Sequence, residues 1–347
     1  MDSIIPFSTI DLATITNHRS GEIKFGEKMQ TVPTNLNPID YLYKCDAQFV
    51  LFGIPEDIGV RANFGRLGTS LAWQSAIKNI ANLQHNKYCK GSQILILGSL
   101  NVSNLILESQ DLDITINTDR TKFSKIIEKI DKEVSHIIYN ILKSGKTPIV
   151  IGGGHNNAYG NIKGAALAKG KPINVINFDA HTDFRDLEGR HSGNGFSYAF
   201  DEGFIKKYFI FGIHENYTSK NILLKLKQFN DRIKFNTYDE IAIRGEKNYQ
   251  EEITIAKNFI SDEPFGVEID LDAIPNIPSS AMTLSGFSVE QARQFVYNFG
   301  NIPNATYLHI CEGAPNLSEE KNEHLTGKLI GYLVTDFIKA RNNLLIF

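Results

Sequence analysis

Ile151-Gly152-Gly153-Gly154-His155 and, twenty-odd residues on, Ile176-Asn177-Phe178-Asp179-Ala180-His181-Thr182-Asp183 are read together as one unit. Each opens on a short β-branched or aromatic apolar run, the signature of a buried strand. Each run ends in side chains that bind metal ions. Between them, residues 157–168 carry a helical period, so the unit reads as strand, glycine turn, helix, strand. That is the crossover that joins two parallel strands. A third strand end of the same kind follows at Glu268-Ile269-Asp270-Leu271-Asp272.

Working outward, eight such runs recur, near residues 48–53, 93–97, 148–151, 173–178, 208–212, 232–235, 265–269 and 306–310. Most are continuously apolar rather than alternating, as strands covered on both faces are. Helical periods separate many of them. The clearest spans 124–142, where Ile127, Ile130, Val134, Ile137, Ile138 and Ile141 form one stripe with Lys and Glu opposite. Others fall at 69–83, 157–168, 219–228, 248–260, 288–298 and 327–340. Ser288 with Gln291 three residues on makes a capping box. Alternating strands and helices predict an α/β fold with a parallel sheet and helices on both faces. Residues 1–347 read as a single domain. The first forty-five or so and residues 100–120 read as irregular surface additions.

With 42% hydrophobic residues the chain can bury a large core, and a net charge of −3 gives no general attraction to nucleic acid or an anionic membrane. Three cysteines without CxxC spacing fit a reducing compartment. No run reaches the roughly 20 apolar residues of a membrane span, and the first residues do not read as a secretory signal. The expectation is a soluble, cytoplasmic protein.

In a parallel sheet, ligands gather beyond the carboxyl ends of the strands. His155, the Asp179–Asp183 group and Asp270/Asp272 all follow apolar runs at that end. Alternation puts Asp179, His181 and Asp183 on one face in extended chain, and Asp270 and Asp272 likewise. Taken singly, each piece has a plainer explanation: a polar loop, a helix cap, a tight turn. A phosphate turn at 152–154 lacks both GxGxxG and the P-loop lysine. Together, two His and four Asp at three strand ends are a ligand set for two divalent ions, and hydrolytic chemistry follows from such a pair. Carboxylates and imidazole without thiolate suit a hard to borderline ion such as Mn²⁺. Cys311 is expected to be a buried small residue.

These groups resemble the hallmarks of the ureohydrolase superfamily of arginase, agmatinase and formimidoylglutamase: a Gly-Gly-x-His turn, Asp-Ala-His-x-Asp and Asp-x-Asp. The resemblance runs from about Phe49 to the last helix. It implies a three-layer α/β/α sandwich around an eight-stranded, mainly parallel sheet. It also implies two Mn²⁺ ions, one on His155, Asp179, Asp183 and Asp270, the other on His181, Asp179, Asp270 and Asp272. Within the superfamily, Gly59-Val60-Arg61-Ala62-Asn63-Phe64-Gly65-Arg66-Leu67-Gly68, Arg185 after Asp183, Ser192-Gly193-Asn194-Gly195-Phe196 and Phe211-Gly212-Ile213-His214-Glu215-Asn216 are similar to formimidoylglutamase segments.

By that resemblance Glu312 pairs with the substrate's amidinium. Arg185, Arg66 and Asn194 are substrate-binding candidates, and the planar guanidinium of Arg185 suits a carboxylate. Arg61 and Arg190 read as solvated and His309 as packed. Asp272 takes a proton from the attacking water, and His191 or a water assists the leaving nitrogen. The superfamily's shuttle histidine, in the agmatinase register, would fall on Ser192. Glu268 stands where a serine is usual, and residues 277–286 depart from the usual substrate loop. The implied reaction takes N-formimidoyl-L-glutamate and water to L-glutamate and formamide, in histidine degradation. The rivals are arginase, agmatinase or another guanidino-acid ureohydrolase, and a non-catalytic metal-binding relative. The resemblance also implies a trimer or hexamer.

Overall fold

Each of the eight apolar runs forms a strand in the computed structural model, which describes residues 3–317 and 323–344. Two further strands precede them, β1 (Ile4–Ile5) and β2 (Gln30–Thr31). The eight are β3 (Phe49–Gly53), β4 (Ile94–Leu100), β5 (Thr147–Ile151), β6 (Ile173–Phe178), β7 (Ile205–Ile213), β8 (Ile233–Thr237), β9 (Phe265–Asp270) and β10 (Ala305–Cys311). Among the described residues the sheet therefore has ten strands where eight were expected. The extra pair are two residues long, too short to carry a period that sequence reading can detect. The order is β1-β4-β3-β5-β10-β9-β6-β7-β8, with β2 also on β4, and every pairing is parallel except β1 with β4.

The helices are α1 (Thr9–Ile15), α2 (Pro38–Leu42), α3 (Ile58–Ala62), α4 (Ala72–Ala81), α5 (Ser103–Ser109), α6 (Asn117–Lys143), α7 (Ala158–Lys169), α8 (Gly195–Asp201), α9 (Lys220–Gln228), α10 (Tyr249–Ile260), α11 (Val289–Gly300) and α12 (Glu323–Asn343). Two expectations are corrected. The first forty-five residues hold α1 and α2, and residues 100–120 hold α5 and the first turn of α6. Ser8 and Asn37 cap α1 and α2, and helices of five to seven residues are too short to show a period. The Ser288 capping box is present at the start of α11.

Two cores explain why the strands read as continuously apolar. Leu51, Ile96, Ile149, Ile151, Ile176 and Phe178 point to one face and pack with residues of α4, α10, α11 and α12. Val50, Phe52, Leu95, Leu97, Val150 and Val175 point to the other and meet α6, α7 and α8. The six-isoleucine-and-valine stripe of α6 is wholly buried there. Helix α7 lies close on α6 because Gly160 and Gly164 leave no side chain between them. A Cβ at Gly160 would come within 2.7 Å of Val134. No helix among the described residues is long and apolar enough to cross a membrane.

Parallel pairing sends the carboxyl ends of β5, β10, β9 and β6, the adjacent middle strands, to one edge of the sheet. His155, Glu312, Asp270 and Asp179 sit at those four ends. The crossover from β5 to β6 skips two places, and β9 and β10 later fill the gap. Sequence positions 150 residues apart thereby become neighbours.

Candidate metal centre

The turn after β5 is built to hold His155. Gly152 and Gly153 take φ of 93° and 74°, the left-handed region that favours glycine. Gly152 N donates to Ile310 O at 2.9 Å, and Glu312 N donates to Gly153 O at 3.0 Å, so the turn is tied to the end of β10. From below, the fully buried Glu56 accepts from Asn157 Nδ2 at 2.6 Å, Asn156 Nδ2 at 3.1 Å and Gly154 N at 3.3 Å. After β6, Asp179 Oδ1 accepts from His181 N at 2.6 Å and Oδ2 from Asn177 Nδ2 at 2.8 Å. After β9, Asp270 Oδ1 accepts from Asp272 N at 2.8 Å. Asp183 and Glu312 both adopt positive φ, 43° and 62°, an unfavourable backbone for residues with a side chain and one found where a site imposes it.

These turns bring the six ligand candidates into two groups. His155 Nδ1 lies 2.9 Å from Asp183 Oδ2, 3.2 Å from Asp270 Oδ2 and 3.3 Å from Asp179 Oδ2. His181 Nδ1 lies 3.1 Å from Asp272 Oδ2 and 3.7 Å from Asp179 Oδ1. Asp179 thus turns one oxygen to each group. Asp270 falls with the first group alone, whereas the resemblance had it in both.

Burial and mutual repulsion act on the charges of these carboxylates. Burial, with the neighbouring Asp179, pushes Asp183 up to about 6. Burial, Asp272 and Asp179 push Asp270 well above the carboxylate range. Burial also opposes ionisation of Asp179, but His155 and His181 on its two sides outweigh it and hold that carboxyl well below its ordinary value. His155 Nδ1 and Asp272 Oδ1 are buried without a hydrogen-bond partner, although carboxylate oxygens surround the first. Orphaned buried polar atoms are costly, and atoms facing a common point from several elements are what a metal ion satisfies. The residues fit two ions.

Glu312 closes the other side. Its Oε1 accepts from His155 N at 2.6 Å, and Ser280 Oγ donates to Oε2. Burial pushes its carboxyl up to about 8 despite those bonds. Glu312, Asp270, Asp272, His181 and Arg185 all line one cavity of about 630 Å³, together with Asn63, Glu188, Ser192, Tyr217 and Ser280. Arg185 is half-exposed there and is held by Glu188 Oε1 at 2.6 Å and Asn63 Oδ1 at 3.0 Å.

Three candidate residues do not face this cavity. His191 is buried, its Nδ1 accepting from Gly193 N at 3.1 Å and its Nε2 3.2 Å from Glu188. Burial and the Arg185 charge bring it down to about 4, so the ring is neutral at neutral pH. Asn194 is fully buried and spends its amide on Gly189 O, Arg190 and His191 N. Arg66 gives its guanidinium to the carbonyls of Ser279 and Ser280, both at 3.2 Å. Arg190, read as solvated, is buried and binds Asp131 through two nitrogens at 2.8 and 3.1 Å. Arg61 likewise binds the carbonyls of Ser109, Gln110 and Leu112. Sequence reading passed over Ser280, Glu188 and Tyr217, whose ring stacks on His181 at 5.2 Å. None lies in a quoted motif: Glu188 and Tyr217 stand just past one, and Ser280 comes from the 277–286 segment. His309 and Cys311 are buried.

A family model described as the arginase family matches residues 47–336. The chain belongs to the arginase family. It is 26% identical over 313 residues to a formimidoylglutamase of Streptococcus gordonii, covering 87% of this chain and 79% of that one. Its fold superposes on formimidoylglutamase from Bacillus subtilis with a TM-score of 0.75 at 19% identity, covering 94% and 95% of the two chains. For a Trypanosoma cruzi formiminoglutamase described with Mn²⁺ the TM-score is 0.71 at 18% identity, covering 92% and 98%. This arginase-family chain is a metallohydrolase with an arginase-like fold.

Proposed function

We propose that this arginase-family protein hydrolyses the carbon–nitrogen bond of a linear amidine that carries a carboxylate, with N-formimidoyl-L-glutamate as the substrate. The observation that carries the reading is the meeting in one cavity of the metal-ligand groups, a buried carboxylate and an arginine. Similarity to formimidoylglutamases supports the substrate choice.

His155, Asp179, Asp183 and Asp270 would hold one Mn²⁺, and Asp179, His181 and Asp272 the other. The pair would supply Lewis acidity and an acidified water as nucleophile. Glu312 pairs with the planar amidinium, which matches a carboxylate through two hydrogen bonds. Arg185 receives the substrate carboxylate. Asp272, through its unpartnered Oδ1, takes the proton of the attacking water. The leaving glutamate nitrogen takes its proton from a water in the cavity, because His191 does not line it. Formamide and glutamate result.

Product analysis after incubation of Mn²⁺-loaded protein with formiminoglutamate, arginine and agmatine tests this. Glutamate and formamide are expected. Urea from arginine or agmatine, with formiminoglutamate untouched, would overturn the choice of substrate.

A further inference from the structure

We propose that Glu268 is the positioning residue of the metal centre: it accepts the Nε2 proton of His155 from behind and so fixes the tautomer whose Nδ1 lone pair faces the ions. The role rests on the two-metal reading above.

His155 is fully buried, and its two nitrogens face opposite ways. Nδ1 faces the carboxylates of Asp179, Asp183 and Asp270. Nε2 faces Glu268 Oε2 at 3.5 Å and has no hydrogen-bond partner. An imidazole that ligates through one nitrogen carries its proton on the other, and a buried N–H without an acceptor is costly. Cys311, the other polar neighbour, donates its thiol to Ile269 O at 3.5 Å and is a weak acceptor. Glu268 Oε2 is the carboxylate oxygen that faces Nε2, and so the acceptor its proton would have.

Glu268 is itself held still for this. It is fully buried, with Oε1 accepting from Tyr307 OH at 2.7 Å and Oε2 close to His309 Nδ1 at 2.6 Å. Register sets the arrangement. His309 of β10 lies opposite Glu268 of β9, and Asn177 of β6 lies on its other side. Alternation puts Glu268 on the same face of β9 as Asp270, one step below the ligand layer. The ion pairs described for Glu268 are with His155 and His309, both imidazoles. A carboxylate buried this deeply is costly without compensation, and a metal-bound histidine polarised toward it supplies that. Carboxylate–histidine–metal chains orient the ring and strengthen it as a ligand.

Calorimetric titration of the metal-stripped protein with Mn²⁺ reads this without substrate. Glu268→Gln keeps volume and should weaken one of the two ions about 10- to 100-fold. Glu268→Asp keeps the charge but retracts it by a methylene, and it should weaken the same ion if the glutamine variant does not fold. Tyr307→Phe removes a bond from the same network without touching His155, and its affinities should stay within about twofold of wild type. A two-ion wild type whose Glu268 variants bind both ions unchanged overturns this role alone. So does a Tyr307→Phe loss equal to that of Glu268→Gln, which would mark a merely structural network. A wild type taking fewer than two ions overturns the metal centre and this role together. A third ion per chain overturns it as well, because His155, His309 and Cys311 would then hold metal where Glu268 is needed.

Discussion

Arg185→Ala should raise KM for formiminoglutamate while leaving kcat nearly alone. The guanidinium is half-exposed and in the free protein already binds Glu188 Oε1 at 2.6 Å and Asn63 Oδ1 at 3.0 Å. A charged hydrogen-bonded contact to the substrate carboxylate contributes up to about 3 kcal/mol. Releasing Glu188, an exposed ion pair, costs up to about 1 kcal/mol of that. The net of about 2 kcal/mol corresponds to roughly a 30-fold rise in KM. The same arithmetic gives Glu188→Gln the opposite sign, since it removes the competing carboxylate and should lower KM by up to about fivefold. Steady-state release of glutamate from formiminoglutamate, with Mn²⁺ saturating, measures both. A fall in kcat at constant KM for Arg185→Ala, or a rise in KM for Glu188→Gln, would refute Arg185 as the carboxylate's partner.

Asp179→Ala should lose both ions and all activity, because its two oxygens face the two groups. Two bound Mn²⁺ by metal analysis would show the sharing to be misassigned. Arg190→Met should destabilise the fold by about 3–5 kcal/mol, since it strands the buried Asp131 carboxylate, whereas the double variant Arg190→Met/Asp131→Leu should recover most of that loss. Urea unfolding decides, and a double variant no better than the single would count against the pair. Asp183 lies near 6 in the metal-free protein, above an unfolded carboxylate, so its native proton is the tighter one. Its contribution to metal-free stability therefore falls as pH rises from about 4 to 6. Mn²⁺ must displace that proton, so ion affinity should drop as pH falls below about 6. Titrations at pH 5 and 7.5 that agree within error would contradict this.

The eight runs, the α6 stripe and the Ser288 cap were legible because burial on both faces and helical period are local patterns. The strands β1 and β2 and the helices α2 and α5 were not, being too short to show one. The candidate metal-ligand residues could be read because each follows a strand end in a recognisable motif. His191 and Asn194 were expected at the site for the same reason, yet their motif folds inward. His191 turns its ring to Gly193 and Glu188, and Asn194 serves as a buried brace for Arg190. Ser280 reaches Glu312 from a loop with no hallmark of its own, held by Arg66.

The sequence by itself determined a parallel α/β sheet, its two apolar faces and a set of candidate metal ligands at three strand ends. Those follow from periodicity and from which side chains bind ions, properties a chain carries wherever it lies in space. Tertiary structure alone decided which side chains share a point. By inserting β10 and β9 between β5 and β6 it placed Glu312 beside His155, divided the ligands into two groups around Asp179 and put Glu268 behind the imidazole. Such neighbourhoods come from strand order and register across the sheet, and adjacency along the chain contains neither.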